Sequence, residues 1–122
     1  MRYVRTMALA LMAAAGFVTS HDASAASGDK IFAQRCAVCH AVAGKGGKVG
    51  PDLTGVVGRK AAGTTYPYSP ALRKLTIKWN PTTLDAFLAA PAKVAPGTRM
   101  VVSVSKAEDR AALISYLTAP GK

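Results

Sequence analysis

Cys36-Ala37-Val38-Cys39-His40 places two cysteines three residues apart with a histidine directly after the second, the attachment pattern of a c-type haem. The spacing follows from the chemistry. Each thiol adds across one haem vinyl group as a thioether, and the imidazole approaches the iron from the same side. In a helical segment the three side chains fall at i, i+3 and i+4 and share one face. Two other chemistries use similar cysteines. A thioredoxin-like dithiol also reads C-x-x-C, but it follows a strand in a βαβ setting that is not visible here. A structural zinc site takes four ligands, and the chain has no third cysteine.

Outward from this motif, the 122 residues make one domain at most. Residues 1–25 read as a secretory signal peptide: Arg2 and Arg5 form a basic start, residues 7–18 an uncharged apolar run, and Ala23-Ser24-Ala25 a small-residue cleavage site. The competing reading is an uncleaved membrane anchor, for which the run is short. Residues 26–122 form the mature domain. They retain two cysteines, one histidine (His40) and one methionine (Met100), with 14 basic and 5 acidic residues, a formal charge of +9. So short a chain builds a thin core, and a buried porphyrin would enlarge it. Export, with thiols consumed as thioethers, places the expected compartment in the bacterial periplasm.

The remaining pattern is helical. Ser27 precedes a helix opening at Gly28, in which Phe32, Cys36, Cys39 and His40 share an apolar face. Residues 44–50 form a glycine and lysine loop, without the G-K-[ST] ending of a phosphate-binding loop. Ser69-Pro70 opens a short helix to about Leu75, and Asn80-Pro81 opens another that Pro91 stops. Ser105-Lys106-Ala107-Glu108 reads as a capping box at the start of the last helix. Val101, Val102 and Val104 suggest a strand but have no clear partner. The expected fold is all-α: about four helices with long loops around one covalent haem.

The second axial ligand decides what such a haem does. A vacant position permits peroxide or gas chemistry, a second histidine lowers the potential, and methionine raises it and favours electron transfer. The mature chain holds no second histidine, so Met100, a lysine or a vacancy remain. Met100 follows the Pro96-Gly97 turn, about 60 residues beyond His40, on a loop able to reach the other haem face. An isolated methionine can equally be a core filler.

Across nearly all of its mature length the sequence resembles the class I cytochromes c, both the mitochondrial proteins and the short soluble bacterial ones. The resemblance is carried by residues 28–32, the C-x-x-C-H motif, Gly50-Pro51-Asp52-Leu53, Gly58-Arg59, Tyr68-Ser69-Pro70-Ala71, Trp79, Pro96-Gly97-Thr98-Arg99-Met100 and residues 110–117. It implies haem c bound through Cys36 and Cys39, with His40 and Met100 as iron ligands. The Pro51 carbonyl would accept from the free ring nitrogen of His40. Arg59, Tyr68 and Trp79 would hold the propionates, with Thr98 donating nearby. Gly28, Phe32, Leu113 and Tyr116 would form the crossing of the first and last helices. Phe87 departs from a frequent tyrosine, and Val102 from a frequent haem-edge phenylalanine. The stretches between His40 and Pro51, between Arg59 and Tyr68, and after Met100 each look about one residue short.

These features define a monomeric, monohaem electron carrier rather than an enzyme, serving respiratory or dehydrogenase partners. Lys30, Lys45, Lys48, Lys93 and Arg99 flank the expected haem edge, where they would meet acidic docking patches on a reductase, oxidase or dehydrogenase. The charge is scattered and matches no nucleic-acid motif, so no nucleic acid is expected. Weak peripheral contact with anionic lipid is a secondary expectation. The alternatives are a cytochrome subunit of a periplasmic redox complex, and peroxidase or gas-binding chemistry at a labile sixth position.

Overall fold

A computed structural model describes residues 26–121; the expected signal peptide lies outside the described residues. Five helices and one small hairpin are present among them: α1 (Gly28–Arg35), β1 (Ala41–Val42), β2 (Lys45–Gly46), α2 (Pro70–Arg73), α3 (Pro81–Ala89), α4 (Pro91–Val94) and α5 (Ala107–Thr118). The fifth helix was not expected. Pro91 ends α3 as anticipated, because Ala90 leaves helical geometry ahead of it, but the same proline then serves as the first residue of α4.

Helix starts divide into those made by side chains and those that are not. Asn80 and Thr83 cap α3 reciprocally, each side chain accepting the other's backbone N–H at 2.9 Å. Ser69 Oγ accepts from the Leu72 N–H at 3.3 Å, but α2 ends at Arg73, one turn long and short of the expected Leu75. The capping box at Ser105 does not form. Helix α5 opens one residue later, with Lys106 at the N-cap, and the Ser105 carbonyl instead accepts from Arg110. Ser27 occupies the N-cap of α1 without a cap bond to the backbone. Its hydroxyl bonds the Asp29 carboxylate which, together with the Lys30 N–H, holds that carboxyl below its ordinary range.

Helices α1 and α5 cross, and α5 packs also on α3. A Cβ on Gly28 would overlap the Ala112 carbonyl oxygen and stand 2.7 Å from Tyr116 Cβ, so the crossing requires glycine there. Phe32 and Tyr116 pack one turn further on, with ring centroids 5.6 Å apart, and Leu113 is 1% exposed beneath them. This pairing fixes the frame from which the long loops hang.

Residues 41–46 form a hairpin that overlaps the start of the loop expected over residues 44–50. Its register pairs Ala41 with Gly46 and Val42 with Lys45. Ala43 and Gly44 both take positive φ (50° and 76°), as a two-residue turn of the I′ type demands, and the Ala43 N–H donates to Thr54 Oγ1 at 3.0 Å. Further on, Gly58 N–H donates to the Trp79 carbonyl (2.6 Å) and Trp79 N–H to the Arg59 carbonyl (2.8 Å). Two segments distant in sequence are thereby clipped together, with Trp79 beside Arg59. The valines at 101, 102 and 104 form no strand. Among the described residues no helix is long and apolar enough to cross a membrane.

Candidate functional site

The cysteine motif sits just past α1, not within it. Helix α1 ends at Arg35, and residues 36–39 form a turn in which Cys39 N–H and His40 N–H both donate to the Cys36 carbonyl, at 3.1 and 2.9 Å. The i to i+4 bond needed to gather the motif survives, although the helix expected to carry it has already stopped. Neither cysteine is in a disulfide, and both are half-buried. Burial pushes the Cys36 thiol above its ordinary range.

His40 is held from two sides. Its Nδ1 donates to the Pro51 carbonyl at 2.7 Å, which fixes the tautomer with the proton on Nδ1 and leaves the Nε2 lone pair available to a metal. Gly50 lies against the ring itself: a Cβ there would stand 2.6 Å from Cε1 and 2.8 Å from Nδ1. The Gly50 N–H donates to the Cys39 carbonyl at 2.7 Å, so the loop that orients the histidine is tied to the motif that bears it.

A cavity of about 440 Å³ opens from this motif into the core. All nine residues singled out from the sequence line it: Cys36, Cys39, His40, Pro51, Arg59, Tyr68, Trp79, Thr98 and Met100. Its remaining wall is mainly aliphatic and aromatic, with Leu72, Leu84, Phe87, Leu88 and Leu113 among the contributors. The size suits a cofactor. So does the donor set, with two thiols and an oriented imidazole at one end and a thioether sulfur on a separate loop.

The polar members are individually accounted for. Tyr68 is 8% exposed and shares a 2.7 Å hydrogen bond with Thr64 Oγ1. Trp79 is 7% exposed and stacks obliquely on Phe87 at 5.1 Å. Its indole N–H meets no acceptor among the described residues. Thr98 Oγ1 accepts the Met100 N–H at 3.3 Å, which leaves its own hydroxyl proton free. Arg59 is partly occupied, donating to the Asp52 carbonyl at 3.0 Å and the Thr54 carbonyl at 3.4 Å. Those bonds tie it to the turn after Pro51, and a guanidinium still has further N–H groups to offer.

Among the cavity residues not anticipated are Tyr66 and Arg35, both with polar side-chain groups. Tyr66 packs edge-on against Tyr68 at 5.1 Å and donates to the Val49 carbonyl at 2.7 Å, joining two loops across the rim. Arg35 lines the cavity beside Cys36. The Tyr66-x-Tyr68 alternation was a usable signal for the first; nothing local marked the second.

A helical frame closed on a haem-attachment motif, with an oriented histidine and an apolar cofactor-sized cavity, defines a c-type cytochrome of class I. Comparison with known proteins agrees. Residues 25–119 match the family model described as Cytochrome c. The chain is 42% identical to cytochrome c of Gossypium barbadense over 106 residues, 84% of this chain and 96% of that protein. It is 43% identical to cytochrome c type-1 of Ascaris suum over 93 residues, 75% and 83% of the two chains. Among solved structures it resembles cytochrome cH from Methylobacterium extorquens, with a TM-score of 0.67 and 39% identity over 75% of this chain and 93% of that one. The chain belongs to the cytochrome c family, carries haem c bound through Cys36 and Cys39, and serves electron transfer.

Proposed function

We propose that this protein is a monomeric periplasmic electron carrier whose haem iron is ligated by His40 and Met100. The observation that carries the reading is the His40–Pro51 hydrogen bond on one wall of the cavity, with Met100 on a separate loop lining the same space. The bound haem supplies the one-electron couple. The chain's own residues set its surroundings. Pro51 orients the imidazole and raises its basicity. The aliphatic wall excludes water and keeps the local dielectric low, and a thioether ligand favours the reduced state. Arg59, Tyr68, Trp79 and Thr98 offer N–H and O–H donors to anionic groups at the cavity. A saturated iron leaves no position for substrate, which separates a carrier from an enzyme.

Docking follows from charge. Lys30, Lys45, Lys48, Lys93 and Arg99 are all exposed, and Arg110–Asp85 is the one ion pair among the described residues. A surface so rich in unmatched cations steers toward acidic patches on a reductase, oxidase or dehydrogenase, at rates that fall with rising salt. The residue 1–25 pattern supports export, and fractionation of the native host tests it.

The deciding experiment is the ferric optical spectrum in the far red, where a methionine sulfur on haem iron gives a weak band, with and without cyanide. A band at neutral pH with slow cyanide uptake is expected, and Met100→Ala abolishes it. A high-spin spectrum with rapid cyanide uptake in the unaltered protein overturns the reading in favour of chemistry at an open site. A stable stoichiometric complex with a native enzyme would replace the diffusing carrier with a dedicated subunit.

A further inference from the structure

We propose that Arg35 is a positioning residue for the axial methionine, latching the loop that carries Met100 onto the end of the helix that leads into Cys36. The inference rests on the reading of Met100 as an iron ligand. Residues 97–106 contain no regular secondary structure. Between Met100, which packs against the core, and the buried Val104, residues 101–103 have no place in the packed protein core, and Val101 and Val102 line the cavity. The hydrogen bonds that tie the loop to the rest of the chain lie mostly at its two ends. Upstream, Thr98 N–H donates to the Ala95 carbonyl at 2.9 Å and Arg99 Nη1 to the Pro67 carbonyl at 3.0 Å. Downstream, Val104 N–H donates to the Leu88 carbonyl at 2.8 Å, and Arg110 donates to the carbonyls of Val104 and Ser105.

Between those anchors, residues 100–103 receive one bond from outside the loop among the described residues. Arg35 Nη2 donates to the Ser103 carbonyl at 2.6 Å, across 68 positions of sequence. The short distance and charged donor make it stronger than a neutral bond. Arg35 is the residue immediately before Cys36, and Ser103 lies three past Met100. The bond therefore joins the covalent attachment of the haem to the loop bearing its removable ligand. Swinging Met100 away requires residues 100–103 to leave the body, and this bond must break first. Such an opening is local and needs less free energy than global unfolding, so ligand exchange reads the latch directly.

Cyanide reads this opening directly, because it binds ferric iron only when the methionine has left. In the haem-loaded protein, Arg35→Met keeps the stem that lines the cavity and removes every donor. It is expected to bind cyanide roughly tenfold faster, the worth of one charge-assisted hydrogen bond at an exposed site. The thermal midpoint followed by far-ultraviolet circular dichroism should fall by no more than that one bond accounts for, roughly 6–11 °C, with the two-state transition otherwise unchanged. Arg35→Lys, which restores a charged donor, should recover part of the slow rate. Lys30→Met removes the same charge from the same helix and should leave the rate unchanged. If Arg35→Met fails to load haem, Arg35→Leu, which also has no donor, takes its place with the same expected direction. A wild-type cyanide rate in the donorless variant overturns the latch, as does an equal acceleration in Lys30→Met, which would make the effect one of net charge. Absence of the far-red band from the unaltered protein is a separate outcome and removes the methionine reading itself.

Discussion

Gly50→Ala tests whether close packing on the histidine matters as much as its hydrogen bond. The added Cβ would stand 2.6 Å from His40 Cε1, 2.8 Å from Nδ1 and 3.1 Å from Nε2, where ordinary contacts lie at 3.4–4 Å. Relief requires the ring or the loop to shift by most of an ångström. The ring is held by the 2.7 Å bond to the Pro51 carbonyl, and the loop by the 2.7 Å bond from Gly50 N–H to the Cys39 carbonyl. One of these must stretch. Overpacking of this kind costs about 1–3 kcal/mol, and a weakened hydrogen bond adds about 1 kcal/mol. A domain of this size loses roughly 4–8 °C of thermal midpoint per kcal/mol, so a fall of about 10 °C or more is expected. The iron potential should move as well, because the imidazole is displaced. Gly44→Ala is the matched comparison: it has open space around its Cβ but a φ of 76°, so backbone strain of about 1 kcal/mol is its whole expected cost, with the potential unchanged. Thermal unfolding and redox titration of the two ferric proteins decide the matter. Equal midpoints and an unshifted potential in Gly50→Ala would refute the argument that this glycine is set by the histidine ring.

Arg110→Met should lower stability by about 2 kcal/mol in denaturant unfolding, because it strips partners from the Val104 and Ser105 carbonyls and the 2.7 Å bond from Asp85. Phe87→Tyr places a hydroxyl in the cavity wall beside Trp79 and is expected to alter the iron potential or the rate of ligand exchange. Unchanged values of both in that variant would remove the idea. The Asp52 carboxyl is held below its ordinary range by the Thr54 hydroxyl and then the Thr54 N–H, so its contribution to stability is present above the usual carboxylate value of 3.8 and fades as pH falls through the lower folded value. Asp52→Asn should therefore flatten the acid limb of the stability–pH curve below about pH 4, read by unfolding at a series of pH values.

The parts of this fold that were legible in the sequence are those whose chemistry is local. The spacing of Cys36, Cys39 and His40 is set by two thioether bonds and one iron ligand, so it reads without any tertiary information. Asn80-Pro81 announced its helix because cap and proline act within four residues. Ser105 carried the same kind of signal and failed. Helix α5 begins one residue later with Lys106 at the N-cap, and Ser105 is held instead by its carbonyl, which accepts from Arg110 five residues on, so one local contact stands where another was expected. The hairpin at residues 41–46 was missed for another reason. Its turn places an alanine at φ 50°, a residue that does not advertise left-handed backbone, and the Ala43 N–H finds its partner only at Thr54.

The site divides along the same line. The nine residues expected at the haem, all but Pro51 through their side chains, line one cavity. Residues that hold those residues in place act through backbone carbonyls: Arg35 on Ser103, Arg99 on Pro67, Tyr66 on Val49, Arg59 on Asp52. Every residue but proline offers the same N–H and all offer the same carbonyl, so the accepting end of such a bond leaves no mark on the sequence. Only the donor is visible, and an arginine among sixteen basic residues reads as surface charge. A small domain that wraps long loops around a cofactor cavity depends on these bonds to fix the loops in place. Its least legible interactions are for that reason the ones expected to set how easily its iron changes ligands.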